Sequence, residues 1–167
     1  RTRVSNARLI EGDAFAREEK FDEAEQYYRR AEENLARALG DDHANIASIN
    51  INLGEIAWQR GALAEAERRL VRALAILQKR VDPGHPSVAT AEYDLANVLR
   101  DLGRSGEAES RYRRALAIRE KALGSESPGV AAILTDFARL LRQTQRGEEA
   151  GRLEARARAI APNAATK

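Results

Sequence analysis

Apolar residues recur along this chain at spacings of three and four, the period of an amphipathic α-helix. The stretch 86–102 shows the pattern with five such positions: Val88, Ala91, Leu95, Val98 and Leu102. A Gly-Arg-Ser break follows, and a second apolar face begins near residue 105. This pattern predicts two helices joined by a tight turn, with no strand between them.

The helix–break–helix pattern returns every 42 residues. Glu-Ala-Glu at 23–25 recurs at 65–67 and 107–109, and a decayed copy stands at 149–151. Small residues keep the same spacing: Gly12, Gly54, Ala96 and Ala138 in one row, and Ala31, Ala73, Ala115 and Ala157 in another. A fixed period of this length indicates an array of stacked hairpins.

The period predicts four hairpins and an all-α fold. We expect helices at 3–18 and 22–39, 44–60 and 63–80, 86–102 and 105–122, and 128–144 and 147–160. The corresponding repeats run over 3–42, 43–85, 86–127 and 128–161 of one domain spanning 1–167, with a disordered tail at 162–167.

The pattern resembles the tetratricopeptide repeat, and more narrowly the 42-residue variety found in kinesin light chains. The resemblance rests on the two rows of small residues, on Ala24, Ala66, Ala108 and Ala150, and on the segment 111–131. It implies a right-handed α–α superhelix. Glu154 departs from the pattern, because Tyr28, Leu70 and Tyr112 fill that position in the earlier copies. We therefore expect looser packing of the last helix.

The resemblance also implies that the first helix of each pair faces a concave wall on which peptide ligands lie. Carried over by register, the wall positions are Asn6, Asp13, Arg17, Ser48, Asn52, Glu55, Gln59, Thr90, Asp94, Asn97, Arg100, Asp101, Asp136, Arg139, Arg142 and Gln143. The alternative is that this wall is only a solvated polar face.

The chemistry of the wall suggests how it would hold a peptide. Asn52 and Asn97 each carry a donor and an acceptor, which suits the backbone amides of an extended segment. Asp94 and Asp136 would favour ligands with Lys or Arg. The anchors for acidic groups would be Arg100, Arg139 and Arg142.

The two histidines, His43 and His85, lie one period apart, and the next copy has Ser127 there. A residue that recurs with the structural period belongs to the repeat, so we expect it at a helix N-terminus. The first copy departs at the next position, where Ala44 replaces the proline of the later copies. No metal site is predicted.

Composition excludes several other functions. The 28 basic and 26 acidic residues leave a net charge of +2, and Arg is interleaved with Glu, so no nucleic-acid partner is expected. Cysteine is absent, and neither a phosphate-binding loop nor a nucleophile motif occurs. We expect no enzyme activity, no cofactor, no membrane insertion and a cytoplasmic location.

The sequence therefore predicts a non-catalytic module that binds a peptide or protein segment. A second hypothesis is self-assembly through the ends of the array, at Ala7, Ile10 and Ala14 or at Leu153, Ala157 and Ile160. A third is the sensor or scaffold part of a larger regulatory protein, since a chain that begins Arg-Thr-Arg without Met reads as an excised piece. Trp58 is open to two interpretations: a ligand anchor, or a core residue filling space left by Ala57.

Overall fold

The computed structural model describes residues 20–164, and within that range the chain forms seven helices and no strand. The helices are α1 (Phe21–Leu39), α2 (Ala44–Gln59), α3 (Leu63–Arg80), α4 (Pro86–Asp101), α5 (Ser105–Leu123), α6 (Pro128–Gln143) and α7 (Gly147–Ala164). The all-α prediction is confirmed, and most predicted bounds agree to within one residue. The last helix runs to Ala164 rather than 160, and the predicted helix at 3–18 lies outside the described residues.

The chain divides into two compact units, Arg1–Asp82 and Pro83–Lys167. In unit 1, α2 packs against α1 and α3. In unit 2, α4 packs on α5, α5 on α6, and α6 on α7, and the first helices α4 and α6 also touch each other. Each unit is thus built from helices that contact their neighbours in sequence, as expected of hairpin repeats.

The rows of small residues let the helices approach closely. All four alanines of the Ala24 row are fully buried, as are Ala96 and Ala138. A methyl group added at Gly54 would lie 2.8 Å from Leu70 Cγ. The recurring small side chains therefore mark the helix–helix contacts, as the periodicity indicates.

The position occupied by Tyr28, Leu70 and Tyr112 is a core position, and all three side chains are buried. Glu154, at the same register in α7, is half-buried and accepts hydrogen bonds at 2.7 Å from both Nε and Nη2 of Arg142. An ion pair thus replaces an apolar contact at this point of the last hairpin.

The recurring histidines cap helices. The Nδ1 atom of His43 accepts a hydrogen bond from the backbone N–H of Asn45 at 3.2 Å, and His85 does the same for Ser87. Ser127 caps α6 with its hydroxyl. Proline is the first residue of both α4 and α6, where a missing N–H does no harm. The placement predicted for the histidines is confirmed.

Candidate functional site

The predicted wall can be followed best in unit 2, where α4 and α6 lie side by side. The Tyr93 hydroxyl on α4 donates a hydrogen bond to the Asp136 carboxylate on α6. We call the polar face shared by these two helices the α4–α6 wall. Its members are Thr90, Asp94, Asp101, Asp136, Arg139 and Gln143.

Asn97 and Arg100 were predicted on the wall, but both lie in the interior of unit 2. Asn97 is only 2% exposed, and Arg100 is 6% exposed. The Oδ1 atom of Asn97 accepts hydrogen bonds from the Tyr112 hydroxyl at 2.6 Å and from Arg100 Nη1 at 3.1 Å. This corrects their predicted placement, since a buried amide oxygen bonded on both sides does not face a ligand.

Asp136 is the centre of a polar cluster at the edge of the wall. Besides the Tyr93 hydroxyl, it has Arg139 Nη1 at 3.0 Å and Arg100 Nη1 at 3.6 Å. Burial raises the pKa of Tyr93, and the hydrogen bond to Asp136 raises it further. The phenol therefore stays protonated and holds the carboxylate in place.

Arg142 is directed at α7 and not along the wall. Both of its hydrogen bonds to Glu154 are charge-assisted, and this contact raises the pKa of Arg142. The Arg142 side chain is still 55% exposed, so its use as an anchor for acidic ligand groups stays a prediction. Arg139 is exposed on the wall beside Asp136, and Gln143 is exposed as well.

Carboxylates dominate the resulting surface. Asp94, Asp101 and Asp136 are half-buried or exposed on neighbouring helices, against one exposed arginine among the described members of the wall. Thr90 lies at one end, where its hydroxyl accepts a hydrogen bond from Arg119 Nη2 at 3.1 Å. The charge of the wall is thus acidic in a chain whose net charge is +2.

In unit 1 the predicted positions on α2 lie on one helix face. Ser48, Glu55 and Gln59 are exposed or half-buried, and Asn52 is half-buried. Gln59 Nε2 donates a hydrogen bond to Glu55 at 3.3 Å. Asn6, Asp13 and Arg17, predicted for the preceding helix, lie outside the described residues.

Sequence reasoning missed a buried polar cluster in unit 1. Asn50 is fully buried, and its Nδ2 donates to Glu32 Oε1 at 3.0 Å and to the Ile46 carbonyl at 2.8 Å. Arg69 Nη1 binds Glu32 Oε2 at 2.9 Å and Asn50 Oδ1 at 3.2 Å. This cluster ties α1, α2 and α3 together.

One period later the same positions hold a buried ion pair. Glu92, at the register of Asn50, is fully buried and lies 2.8 Å from Arg111 and 3.3 Å from Arg114. The recurrence of Arg69 as Arg111 at the 42-residue spacing was the sequence signal for both clusters. Their burial makes them structural contacts and not ligand sites.

Neither metal chemistry nor membrane spanning finds support in the described part of the chain. Within it, no group of three His, Cys, Asp or Glu side chains is placed to hold a metal ion. No helix among the described residues is both long and apolar enough to cross a bilayer.

The surface proposed for end-to-end stacking at α7 is occupied internally. Ile160 is 1% exposed and Ala157 7%, and both belong to a cluster with Val130 and Leu134. Leu153 packs against the same cluster. This corrects the prediction of a free apolar interface there. The other predicted end, at Ala7, Ile10 and Ala14, lies outside the described residues.

Comparison with known proteins identifies the repeat. A tetratricopeptide repeat family profile matches residues 5–79 and 87–163, most of the chain. No curated protein sequence matches.

Solved structures with the same fold include kinesin-light-chain-like repeats. BtubC (BKLC) from P. vanneervenii superposes with a TM-score of 0.84 at 20% identity, covering 98% of this chain and 65% of that one. The nearly identical TPR-like repeats of a Podospora anserina putative kinesin light chain give 0.80 at 23% identity, covering 97% and 76%.

A Rap protein complexed with Competence and Sporulation Factor gives a TM-score of 0.78 at 20% identity, covering 92% of this chain and 42% of that one. This chain thus spans less than two thirds of the BtubC and Rap chains. At these identities the likeness is one of fold alone. It confirms the predicted fold.

Proposed function

This chain belongs to the tetratricopeptide repeat family, whose members generally act as non-catalytic protein-interaction modules, and from that premise we propose that it binds a partner protein segment carrying Lys or Arg through the α4–α6 wall. The observation that carries the proposal is the row formed by Asp94, Asp101 and Asp136 on two adjacent first helices. The fixed orientation of Asp136, held by Tyr93 and Arg139, supports it.

A preference for cationic partners follows from the balance of charge on this face. Arg142 pairs with Glu154 on α7. Arg100 pairs with Asp101 at 2.9 Å and lies 3.6 Å from Asp136, so it offsets part of their charge, but the three carboxylates still outnumber Arg100 and Arg139. An acidic surface attracts basic segments and repels acidic ones, which sets specificity and association rate more than affinity.

Backbone capture is proposed for Asn52 on α2. Its side chain is half-buried on the face that also carries Ser48 and Glu55, and an amide both donates to and accepts from an extended peptide. Asn97 no longer shares this role, because its amide is bonded inside unit 2.

The proposal extends to the whole chain. We infer a single domain of four repeats over 1–167 that acts in the cytoplasm, without cofactor or nucleic-acid partner. The 42-residue period supports the four repeats, and the balanced charge argues against a nucleic-acid partner.

The charge selection is tested by peptide display against the full chain, followed by fluorescence anisotropy on the enriched peptides. Enrichment of Lys and Arg is expected, with binding weakened by Asp94→Lys. The matched control is Glu148→Lys, which makes the same charge change on an exposed residue of α7. Equal loss in both variants, or enrichment of acidic peptides, would contradict the proposal.

The role of Asn52 is tested separately with Asn52→Ala against Asn34→Ala, an asparagine on α1 of the same unit. We expect weaker peptide binding in the first variant alone, with unchanged helical content by circular dichroism. Unchanged affinity in a folded Asn52→Ala protein would remove backbone capture from the binding mechanism while leaving the charge selection intact.

A further inference from the structure

Unit 1 contains a cavity of about 120 Å³ between α1 and the turn that joins α2 to α3. Its lining is Glu25, Arg29, Leu53, Ile56, Ala57, Arg60, Ala62, Glu65 and Arg69. Arg29 and Arg60 are the most exposed charged members, so the cavity reaches the surface between them. It lies on different helices from the α4–α6 wall.

At three of the lining positions, the residues two repeat lengths along the chain, in unit 2, have larger side chains. Phe137 stands at the register of Leu53, Leu141 at that of Ala57, and Arg146 at that of Ala62. Each of the three unit 1 residues is smaller than its counterpart, and all three line the cavity. Two other lining residues, Arg60 and Arg69, are larger than their counterparts Thr144 and Leu153, so the open volume lies beside the three smaller side chains.

Trp58 does not close this space. It is half-buried, and it is not among the residues that line the cavity, although it follows Ala57 directly. Both interpretations of Trp58, a ligand anchor and a core residue beside Ala57, therefore stay open.

The side chain that fills the equivalent place in unit 2 shows what chemistry fits. The Phe137 ring stacks on Tyr112, with centroids 5.4 Å apart and an interplanar angle of 14°. The guanidinium of Arg113 lies 5.5 Å above the same ring. Arg29, the counterpart of Arg113, lines the cavity and is placed to cover a ring in the same way.

The charged groups at the cavity are already paired with one another. Arg29 Nε donates to Glu25 Oε1 at 2.8 Å, and Arg60 Nη1 to Glu25 Oε2 at 2.7 Å. Arg69 Nε donates to Glu65 Oε1 at 2.8 Å. A charged guest would have to compete with these contacts, whereas a neutral guest would leave them intact and gain burial on Leu53, Ile56 and Ala57.

We propose that this cavity binds an aromatic side chain of a protein partner, with the ring on Leu53, Ala57 and Ala62 and beneath the Arg29 guanidinium. Its volume is close to the roughly 150 Å³ of an apolar cavity that holds benzene. Insertion of one aromatic anchor into a preformed pocket is the kind of contact that dominates protein interfaces.

The proposal is tested by titrating the full chain with N-acetyl-phenylalanine amide and following backbone amide shifts by NMR. We expect saturable shifts at Leu53, Ala57 and Ala62. Leu53→Phe restores the residue found in unit 2, so it should abolish the shifts while keeping or raising the thermal midpoint. Leu39→Phe makes the same change at an exposed position of α1 and should leave binding unchanged.

Two further arms define the chemistry of the guest. N-acetyl-cyclohexylalanine amide has a similar shape without a π face, and Arg29→Gln removes the cation, so both should bind about threefold or more weakly. Equal affinity in these arms, binding that survives Leu53→Phe, or no saturable shift in the wild type would each overturn the proposal. If another segment of this chain occupied the cavity, the wild type would show no saturable shift. The two proposals fail separately. Leu53→Phe and Arg29→Gln change the cavity and not the α4–α6 wall, and Asp94→Lys changes the wall and not the cavity.

Discussion

Residue 54 is glycine, whereas the next two copies have Ala96 and Ala138 at that position. The difference follows from the residue it faces. Leu70 branches at Cγ and lies where a methyl group on residue 54 would meet it at 2.8 Å, while the facing residues in the later copies are Tyr112 and Glu154. A repeat position thus adapts to its partner within the same hairpin.

Gly54→Ala is expected to destabilise the protein although alanine is the better helix former. The gain in helix propensity is about 1 kcal/mol, and overpacking against Leu70 costs about 1–3 kcal/mol. Gly151→Ala is the matched control, since Gly151 lies within α7 with no neighbouring atom near its would-be Cβ, and it should stabilise by about 0.5–1 kcal/mol. Urea denaturation measures both free energies of unfolding. If both changes stabilise the protein, Leu70 shifts to accommodate the added methyl group and the prediction is wrong.

His85 is expected to act as a cap and nothing else. His85→Ala removes the acceptor for the Ser87 N–H and should cost about 1 kcal/mol of unfolding free energy, with peptide binding unchanged in the folded protein. His85→Ser, the residue used at the equivalent site before α6, should restore most of that loss. A cost in peptide affinity for His85→Ala at equal folding would argue for a binding role.

At the scale of elements, two arginines join α5 and α7: Arg156 on α7 donates to Glu120 on α5, and Arg146 makes a second link. Arg146, at the turn before α7, donates to Glu109 on α5 and to Glu149 on α7, at 2.6 and 2.7 Å. These hydrogen bonds hold the pKa of each carboxyl below its usual value of 4.5. Because the pKa values are lower in the folded state, the carboxylates stabilise the fold above that value, and the stabilisation is lost as the pH falls through the lowered values.

Arg146→Ala should therefore reduce the acid sensitivity of unit 2. We expect the unfolding free energy to fall less between neutral pH and a pH well below 4.5 than it does in the wild type. Lys121→Ala removes one charge from an exposed site in the last turn of α5 and should keep the wild-type profile. Denaturant titrations across this range measure the difference, and parallel pH profiles for wild type and Arg146→Ala would refute the bridge.

At the scale of the whole molecule, the chain contains two compact units, each with its own buried side chains. The core of unit 2 includes Leu95, Tyr112, Ile133 and Leu140, all at most 2% exposed. These residues come from α4, α5 and α6, which contact one another directly. Because these side chains pack against one another within one unit, unit 2 is expected to fold without the rest of the chain.

The segment 83–167 is accordingly expected to fold alone, with a helical circular dichroism spectrum and a cooperative thermal transition. The shorter segment 105–167 lacks α4, which packs against α5 and supplies Asn97 to the Tyr112 hydroxyl, so it should unfold at a clearly lower temperature. A non-cooperative transition for 83–167 would contradict the independence of its core.

The helices and their pairing could be read from the sequence with little error. The 42-residue period predicts the buried alanines, the capping histidines and the turn glycines. Each of these depends on contacts within one hairpin, and every copy repeats those contacts. The wall was predicted less well. Asn97 lies in register with exposed Glu55 and Arg139, yet it is buried, since Tyr112 and Arg100 bond to it from neighbouring positions.

The sequence by itself thus determined the all-α class, the helix bounds and the repeat family, since these follow from local periodicity and from positions that recur. Tertiary structure alone decided which polar residues face solvent, because that depends on what each copy places beside them. It turned Asn97 and Arg100 inward, engaged Arg142 with Glu154, and left a cavity where Leu53, Ala57 and Ala62 are smaller than their counterparts. Such differences between copies are not periodic, so they cannot be predicted from the 42-residue period.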